Sequence, residues 1–289
     1  MEPVEDGEDP VQSDIKRPTL LLFSALLLAS RADENTFDQN YNVTWGFDHA
    51  TVLDQGKEID QYSGSGFASV HDYGSGFFQM RMKIPNKKSN GVVTTFYLTS
   101  KSVNQDAVYH DELDLEFMGN NSMPYTLSTN VITNGVAGRE QQFQLWFDPT
   151  ADFHTYAILW NQHQIVFFVD DTPIRVFKNN SHVGVNYLSR SMHIEASIWN
   201  STNWLGPVDW SQGPFTAFYQ KFDIDGCLYQ DLNPQQCYAN TPTNSWNAEK
   251  YWQLDPDQQG KYEDMRKKYM SYDYCSKNNE SYPECSLNS

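Results

Sequence analysis

Residues 110–120 read His110-Asp111-Glu112-Leu113-Asp114-Leu115-Glu116-Phe117-Met118-Gly119-Asn120. Three carboxylates, at Glu112, Asp114 and Glu116, alternate with apolar side chains. A period of two is that of a β-strand, whose successive side chains point to opposite faces. The stretch therefore predicts a strand that buries its apolar face and presents three acids on the other. Because strands disfavour Asp and Glu and like charges repel, an acidic face of this kind needs a reason.

A catalytic cleft would supply that reason. Glu112 and Glu116 are about 13 Å apart at the backbone, from a rise of about 3.3 Å per residue, and their side chains can lean together on a concave sheet. Carboxyl groups about 5 Å apart are what a retaining glycosidase uses, one as nucleophile and the other as acid/base. The simpler alternative is an amphipathic strand whose polar face is only solvated.

The composition narrows the class of partner. The chain has 289 residues, a net charge of −17 and 15% aromatic residues. An acidic surface repels nucleic acid and anionic membranes, so neither is expected as a partner. A neutral polysaccharide is compatible with this charge. The aromatic surplus suits a groove in which rings stack on sugars, although packing in a β-rich core explains part of it.

Short β-prone runs alternate with turns over most of the chain. Eight of them predict strands, namely Ser75–Ile84, Gly91–Thr99, Tyr109–Met118, Leu127–Thr133, Phe143–Phe147, His154–Trp160, Gln164–Val169 and Met192–Trp199. Many strands, few helices and no βαβ rhythm predict an all-β fold, an antiparallel β-sandwich of the jelly-roll type. We divide the chain into an acidic leader with a signal peptide at 1–32, a jelly-roll catalytic domain at 33–225 and a C-terminal extension at 226–289.

The N-terminal region has the pattern of a secretion signal. Lys16 and Arg17 precede an apolar run from Leu20 to Leu28, and Ser30-Arg31-Ala32 places small residues at a cleavage position. The run is shorter than the ~20 residues of a membrane-spanning helix, so we expect secretion; a buried core helix is the alternative. The N-x-S/T sequons agree with a secretory route, and they lie at Asn42, Asn120, Asn179, Asn200 and Asn279.

The C-terminal quarter contains all four cysteines, at Cys227, Cys237, Cys275 and Cys285. Four cysteines permit three connectivities. We favour pairing of neighbours, 227 with 237 and 275 with 285, because it closes two short loops. No C-x-x-C spacing is present, so a zinc site is not expected. Asp255-Pro256 predicts an N-cap and first turn, with a helix that continues to about Met270.

Several segments together resemble a known family. These are residues 110–120, TNVITNG at 129–135, EQQFQLWFDPTADFHTYAILW at 140–160 and FVDDTPIRVF at 168–177. They are similar to plant xyloglucan endotransglucosylase/hydrolases, which belong to glycoside hydrolase family 16. The E-x-D-x-E pattern alone also fits bacterial lichenases, but the cysteine-bearing extension is typical of the plant group. The resemblance runs from about Phe37 to Cys285.

The resemblance implies a curved jelly roll with a concave substrate cleft. By position in the family's motif, Glu112 resembles the nucleophile, Glu116 the acid/base and Asp114 the residue that orients the nucleophile. Asn120 lies where the family usually carries an N-glycan beside the cleft. The implied protein is a secreted, monomeric enzyme of the cell wall or apoplast that cleaves and religates xyloglucan. It would use no cofactor and no metal.

The resemblance also implies a set of sugar-contacting positions. They are Tyr97, Ser128, Thr129, Asn130, Arg139, Glu140, Trp199, Trp204 and Leu205. Ser128 stands where Gln or His is usual, and Leu205 where Ala is usual. The segment between Trp204 and Trp210 is several residues shorter than in the family, and no arginine follows Cys275. These last two departures lie on the acceptor side.

Four alternative functions follow from the same residues. Endo-hydrolysis of xyloglucan is one, because the departures affect acceptor binding, and use of mixed-linkage glucan or cellulose as donor is a second variant of the same chemistry. A non-catalytic glycan-binding or wall-structural jelly roll is the alternative from another class, although all three acids are present. An ion-binding surface would need further oxygen ligands around the carboxylates.

Overall fold

A computed structural model describes residues 36–100, 108–229, 234–278 and 281–287. The predicted leader and signal peptide and the sequon at Asn279 lie outside these residues. The strands are, in chain order, β1 Tyr41–Trp45, β2 Ala50–Leu53, β3 Glu58–Tyr62, β4 Ser65–Ser69, β5 Tyr73–Lys83, β6 Val92–Thr99, β7 Glu112–Met118, β8 Thr126–Ile132, β9 Gln141–Gln144, β10 His154–Trp160, β11 Gln164–Val169, β12 Thr172–Lys178, β13 His193–Asn200, β14 Thr216–Leu228 and β15 Met270–Asp273. The α-helices are α1 Phe37–Asn40, α2 Thr202–Leu205, α3 Pro234–Cys237, α4 Pro256–Tyr269 and α5 Tyr274–Asn278.

The strands form two antiparallel sheets. We call the first the cleft sheet; its order is β1-β4-β13-β6-β7-β8-β9-β15. The second, the back sheet, has the order β12-β11-β10-β5-β14-β3-β2. Neighbours in both sheets pair antiparallel, so the predicted all-β sandwich is confirmed. No helix within the described residues is long and apolar enough to cross a membrane.

The core between the sheets explains the period of two in β7. Leu113, Leu115 and Phe117 are at most 1% exposed and belong to a core that both sheets build. The Phe117 ring lies 4.6 Å from that of Tyr156 on the back sheet in an edge-to-face contact. Full burial of one such side chain is worth about 1.5–3 kcal/mol. This burial fixes which face of β7 points away from the core.

Strands β10 and β11 are apolar on both faces. Ile158 faces the inter-sheet core, whereas Ala157 and Leu159 belong to a second cluster on the outer face of the back sheet. The segment after β14 covers that cluster with Trp246, whose indole N–H donates to Ser75 at 2.8 Å. Two-sided burial therefore accounts for continuous apolar runs in an antiparallel sandwich.

The C-terminal extension has the predicted helix and disulfides. Asp255 caps α4 by accepting from the Gln258 amide at 2.8 Å, and Pro256 opens the helix. The disulfides join Cys227 to Cys237 and Cys275 to Cys285, which is the pairing of neighbours. After α4 the chain forms β15, which pairs with β9 and thereby adds an edge strand to the cleft sheet. The sequence does not predict this strand, because its four residues carry no periodic signal.

Candidate active site

Strand β7 lies inside the cleft sheet and is paired on both sides. Glu112 is opposite Thr99 of β6, Asp114 opposite Tyr97, and Glu116 opposite Thr95. Since directly opposed residues share a face, the three acids lie on one surface with the alternate residues of β6. The backbone register therefore places all three on the face away from the core, as their alternation predicts.

These side chains line one open cavity of about 950 Å³. Its floor includes Glu112, Asp114 and Glu116 from β7, and its lining continues across β6 and β13 to β4 and β1. A cavity that runs across strands of one sheet can hold an extended ligand. Among the described residues, no group of three His, Cys, Asp or Glu side chains is arranged to hold a metal ion.

Asp114 is the most buried of the three acids, at 7% exposed. Its burial, together with the charges of Glu112 and Glu116, raises its pKa well above the usual value for an aspartate. It is hydrogen-bonded to Glu112. A protonated Asp114 can donate to the Glu112 carboxylate, which holds Glu112 in place and keeps the negative charge on Glu112. From outside the strand, His110 Nε2 lies 3.8 Å from Glu112 Oε2.

Glu116 has an environment suited to holding a proton near neutral pH. Burial, with the charges of Glu112 and Glu140, raises its pKa to about 7. A carboxyl group with such a pKa can act as a general acid and then as a general base. Glu112 and Glu116 thus have different environments on the same strand, which is the separation of roles that two-carboxylate catalysis needs.

Several predicted sugar-contacting residues lie on the face of the three acids. Tyr97 and Trp199 line the cavity, on β6 and β13. Asn130 and Ser128 are opposite Asp114 and Glu116 on β8, although both are buried. The Asn130 side-chain oxygen accepts from the Val131 and Arg139 amides. Glu140 acts on the pKa of Glu116 and so belongs to the same region.

The structure corrects the prediction for Thr129. Because it lies between Ser128 and Asn130 on β8, it points to the opposite face, where it is fully buried. Its hydroxyl donates to the Gln141 carbonyl at 3.0 Å and accepts from Arg175 of the back sheet at 2.9 Å. Thr129 therefore joins the two sheets and cannot contact a sugar in the cavity.

Arg139 is also corrected. It is 5% exposed, and its Nε donates to Glu284 Oε1 at 2.6 Å. Its guanidinium also packs over the Phe177 and Tyr282 rings, at 5.8 and 5.2 Å. The arginine therefore anchors the C-terminal extension to the sandwich. A sequence motif cannot separate this role from a sugar contact, since the partner lies 145 positions away.

Replacing Arg139 with alanine is expected to lower the free energy of unfolding by about 3–5 kcal/mol, because Glu284 would stay buried without its charged partner. Urea unfolding of the variant and the wild type measures this difference. The double variant Arg139→Met/Glu284→Leu removes both charges and should recover most of the loss. An unchanged unfolding free energy with a raised KM would instead return Arg139 to the sugar contacts.

The remaining predicted positions lie outside the row of acids. Trp204 is 44% exposed, and Leu205 ends α2, the short helix that follows β13. The Leu205 carbonyl accepts from the Asn90 side chain at 3.2 Å. Asn120 follows β7 and donates through Nδ2 to the Pro124 carbonyl at 3.2 Å. Glycosylation of Asn120 stays a prediction.

Sequence reasoning missed part of the cavity lining. His193, Glu195 and Ser197 line it from β13, and Thr95 from β6. Trp45 also lines it at the edge strand β1. The signal was available on β13, where polar residues at 193, 195 and 197 alternate with apolar residues as they do on β7. The same reasoning applied to that run identifies a second polar face.

Comparison with known proteins gives the family. Residues 37–216 match the family described as Glycosyl hydrolases family 16. The chain belongs to this family. Residues 240–285 match a second family, Xyloglucan endo-transglycosylase (XET) C-terminus. The resemblance to the plant members of glycosyl hydrolase family 16 is thereby confirmed, and the protein is an enzyme that cleaves or transfers glycosidic bonds.

Individual members of the family extend this finding. The chain is 50% identical to "Xyloglucan endotransglucosylase/hydrolase protein 2" of Arabidopsis thaliana, over 89% of each chain. It is 41% identical to "Xyloglucan endotransglucosylase protein 8" of Diospyros kaki, over 93% of this chain and 95% of that one. The Bacillus licheniformis beta-glucanase structure matches with a TM-score of 0.52 and 25% identity, over 65% of this chain and 87% of that chain. The jelly-roll architecture predicted from the sequence agrees with this match.

Proposed function

We propose that the protein is a retaining transglycosylase that cuts the β-1,4-glucan backbone of xyloglucan and joins the new end to another glucan chain. The observation that carries the proposal is the placement of Glu112, Asp114 and Glu116 on one face of β7 inside an open cavity. The names of relatives at 50% and 41% identity support xyloglucan as the substrate. A cavity lined by several carboxylates also favours a neutral over an anionic polysaccharide.

The proposed reaction has two steps. Glu112 attacks the anomeric carbon while Glu116 donates its proton to the glycosidic oxygen of the departing chain. Asp114, protonated and hydrogen-bonded to Glu112, holds the nucleophile in position. In the second step Glu116 takes the proton of an acceptor 4-hydroxyl, which attacks the glycosyl-enzyme and releases Glu112. Both inversions together retain the β configuration.

Transfer requires that an acceptor hydroxyl outcompete water. A bound and oriented reactant reaches effective molarities of roughly 10⁵–10⁸ M, so occupied acceptor subsites suffice. Only five residues separate Trp204 from Trp210, which the resemblance to the family implies is a shortened acceptor-side loop. This observation favours one second candidate, an endo-hydrolase of xyloglucan with the same two carboxylates.

Product analysis separates the two candidates. Wild-type protein is incubated with xyloglucan and a fluorescent xyloglucan oligosaccharide, and label in the polymer and new reducing ends are both measured. Label in the polymer without a matching rise in reducing ends supports transfer, whereas reducing ends without label identify a hydrolase. Parallel reactions with mixed-linkage glucan and soluble cellulose test the donor. Turnover of neither xyloglucan nor these glucans would reject the proposal in favour of glycan binding.

The activity is expected to fall above about pH 7. Glu116 must be protonated in the free enzyme to act as the acid, and its pKa is raised to about 7. Above that value kcat/KM should drop about tenfold per pH unit. Replacing Glu140 with glutamine removes one of the charges that raise this pKa, so the alkaline limb should move to lower pH. A limb that stays in place would contradict the assignment of Glu116.

The same shift has a consequence for stability, with a defined sign. The folded state holds the Glu116 proton up to about pH 7, whereas the unfolded chain loses it near pH 4.5. The folded state thus binds more protons in this window, so the free energy of unfolding decreases as pH rises through it. The stability that the protonated Glu116 contributes is fully present below about pH 4.5 and is lost above about pH 7.

We also propose secretion to the cell wall as a monomer, without nucleic-acid or membrane partners. The basic and apolar residues at 16–32, the sequons and the two disulfides support this route. Expression of the full chain in plant cells, followed by N-terminal sequencing of protein from the medium, tests it. A mature chain that starts at Asp33 is expected, and retention inside the cell would refute it.

A further inference from the structure

Glu195 is a further carboxylate in the cleft, on strand β13, which pairs with β6. It lies opposite Tyr97 of β6, and Tyr97 lies opposite Asp114 of β7. The three residues therefore form one row across the cleft sheet. The Tyr97 hydroxyl donates to Glu195 Oε2. We propose that Glu195 is a positioning residue that accepts the hydrogen bond of the Tyr97 hydroxyl, so that the Tyr97 oxygen accepts a hydrogen bond from a hydroxyl of the donor sugar. The proposal rests on the proposed function and deepens it.

The phenol has one proton to give. Burial, then Glu195, and then the charges of Glu112 and Asp114 raise the pKa of Tyr97, so the hydroxyl stays protonated. The charge of Glu112, on the same face of the neighbouring strand, therefore acts on the Tyr97 hydroxyl. A hydroxyl that donates to Glu195 still offers lone pairs to another donor. Glucan hydroxyl groups are such donors, and an extended glucan bound over β7 would pass over Tyr97.

A Tyr97 hydroxyl that donates to Glu195 does not donate to Glu112, and this should also favour catalysis. A hydrogen bond to a carboxylate stabilises its charged form. A second donation, from Tyr97 in addition to Asp114, would therefore stabilise Glu112 further before attack and lower its nucleophilicity. By accepting the Tyr97 hydrogen bond, Glu195 leaves Glu112 with Asp114 as its partner on β7. Tyr97 then becomes a group that recognises substrate without weakening the nucleophile.

Glu195 is itself held in position by the protein. His193, two residues earlier on the same face of β13, has its Nε2 2.6 Å from Glu195 Oε1. With Glu195 ionised, its carboxylate accepts this hydrogen bond from the His193 ring N–H. The other ring nitrogen, Nδ1, is 3.7 Å from Asp72 Oδ1. The two oxygens of Glu195 thus face two different donors, which fixes the carboxylate plane.

A double-mutant cycle tests the proposal. Tyr97→Phe and Glu195→Gln are each expected to lower kcat/KM about tenfold. The first removes the acceptor oxygen, and the second leaves one side-chain acceptor oxygen for two donors, Tyr97 and His193. If Glu195 acts through Tyr97, the double variant should also lose about tenfold, not a hundredfold. A purely structural role for Glu195 would give losses that multiply. Multiplying losses, or a Glu195→Gln variant as active as the wild type, would overturn the proposal.

Four further measurements test whether a loss of activity comes from the proposed role of Glu195. Thermal midpoints show whether each variant folds. Glu249→Gln provides the same chemical change at an exposed site in the segment that covers the outer face of the back sheet. If Glu195→Gln does not fold, His193→Gln loosens Glu195 and should lower kcat/KM about twofold to threefold only when Tyr97 is present.

The cycle is run on whichever glucan the wild type converts, and it is repeated with the Kd for a xyloglucan oligosaccharide as the measured quantity. A wild type that is inactive on xyloglucan but converts another glucan therefore counts against the proposed function, and the role proposed for Glu195 is still tested on that glucan. A wild type that neither converts nor binds any glucan would overturn both.

Discussion

Replacing Glu112 with alanine is expected to lower kcat/KM for xyloglucan by about 10⁴-fold or more. Removal of a nucleophile that forms a covalent intermediate costs on the order of 10⁴–10⁶ in rate. The fold should tolerate the change, because Glu112 lies on the cavity face of β7 while Leu113, on the other face, keeps its burial. Initial rates with xyloglucan, with circular dichroism of both proteins, measure the effect.

Chemical rescue identifies the role of Glu112 beyond a loss of rate. The truncated side chain leaves room for a small anion at the position of its carboxylate. With a dinitrophenyl β-glucan oligosaccharide, whose leaving group needs no proton, added azide should restore turnover. Azide would enter from the face that Glu112 occupied, so the product should be the α-glycosyl azide. A variant within tenfold of the wild type, or a β-azide product, would assign the nucleophile elsewhere.

The alternation of acids and apolar residues in β7 was sufficient to predict the strand, its buried face and its shared acidic surface. This succeeds because strand period and burial are local properties, and Leu113, Leu115 and Phe117 are buried whatever else the fold does. The same is true of β10 and β11, whose limits agree with those predicted, and of the capped start of α4. The features that depend only on the local sequence pattern could therefore be predicted: strand period, buried face and helix cap.

The features that the sequence did not predict depend on distant partners. Arg139 is bound by Glu284, and Thr129 by Arg175 of the other sheet, so neither role could be inferred from the surrounding motif. Strand β15 exists because β9 offers an open edge, which four residues of sequence do not reveal. Glu195 is a different case. Its alternation with Ile194 and Ala196 predicts a polar face on β13, but the role proposed for it depends on its hydrogen bond with Tyr97 of β6.

Replacing Glu116 with alanine is expected to affect substrates unequally, which separates its role from that of Glu112. With xyloglucan the loss should be about 10²–10⁴-fold, the usual contribution of general acid–base catalysis. With the dinitrophenyl glycoside the first step should remain fast, since that leaving group departs without a proton. The glycosyl-enzyme should then accumulate, because no base activates the acceptor, and a burst of dinitrophenol should precede slow turnover.

Azide again provides the decisive product. In the Glu116→Ala variant it would attack the glycosyl-enzyme on Glu112 from the opposite side, so it should accelerate turnover and give the β-glycosyl azide. The residual activity on xyloglucan should also lose its fall above about pH 7, because the group whose pKa is raised to about 7 is absent. Opposite azide anomers from two variants on one strand would distinguish nucleophile from acid/base. Equal losses on both substrates without a burst would mean that Glu116 positions the substrate and transfers no proton.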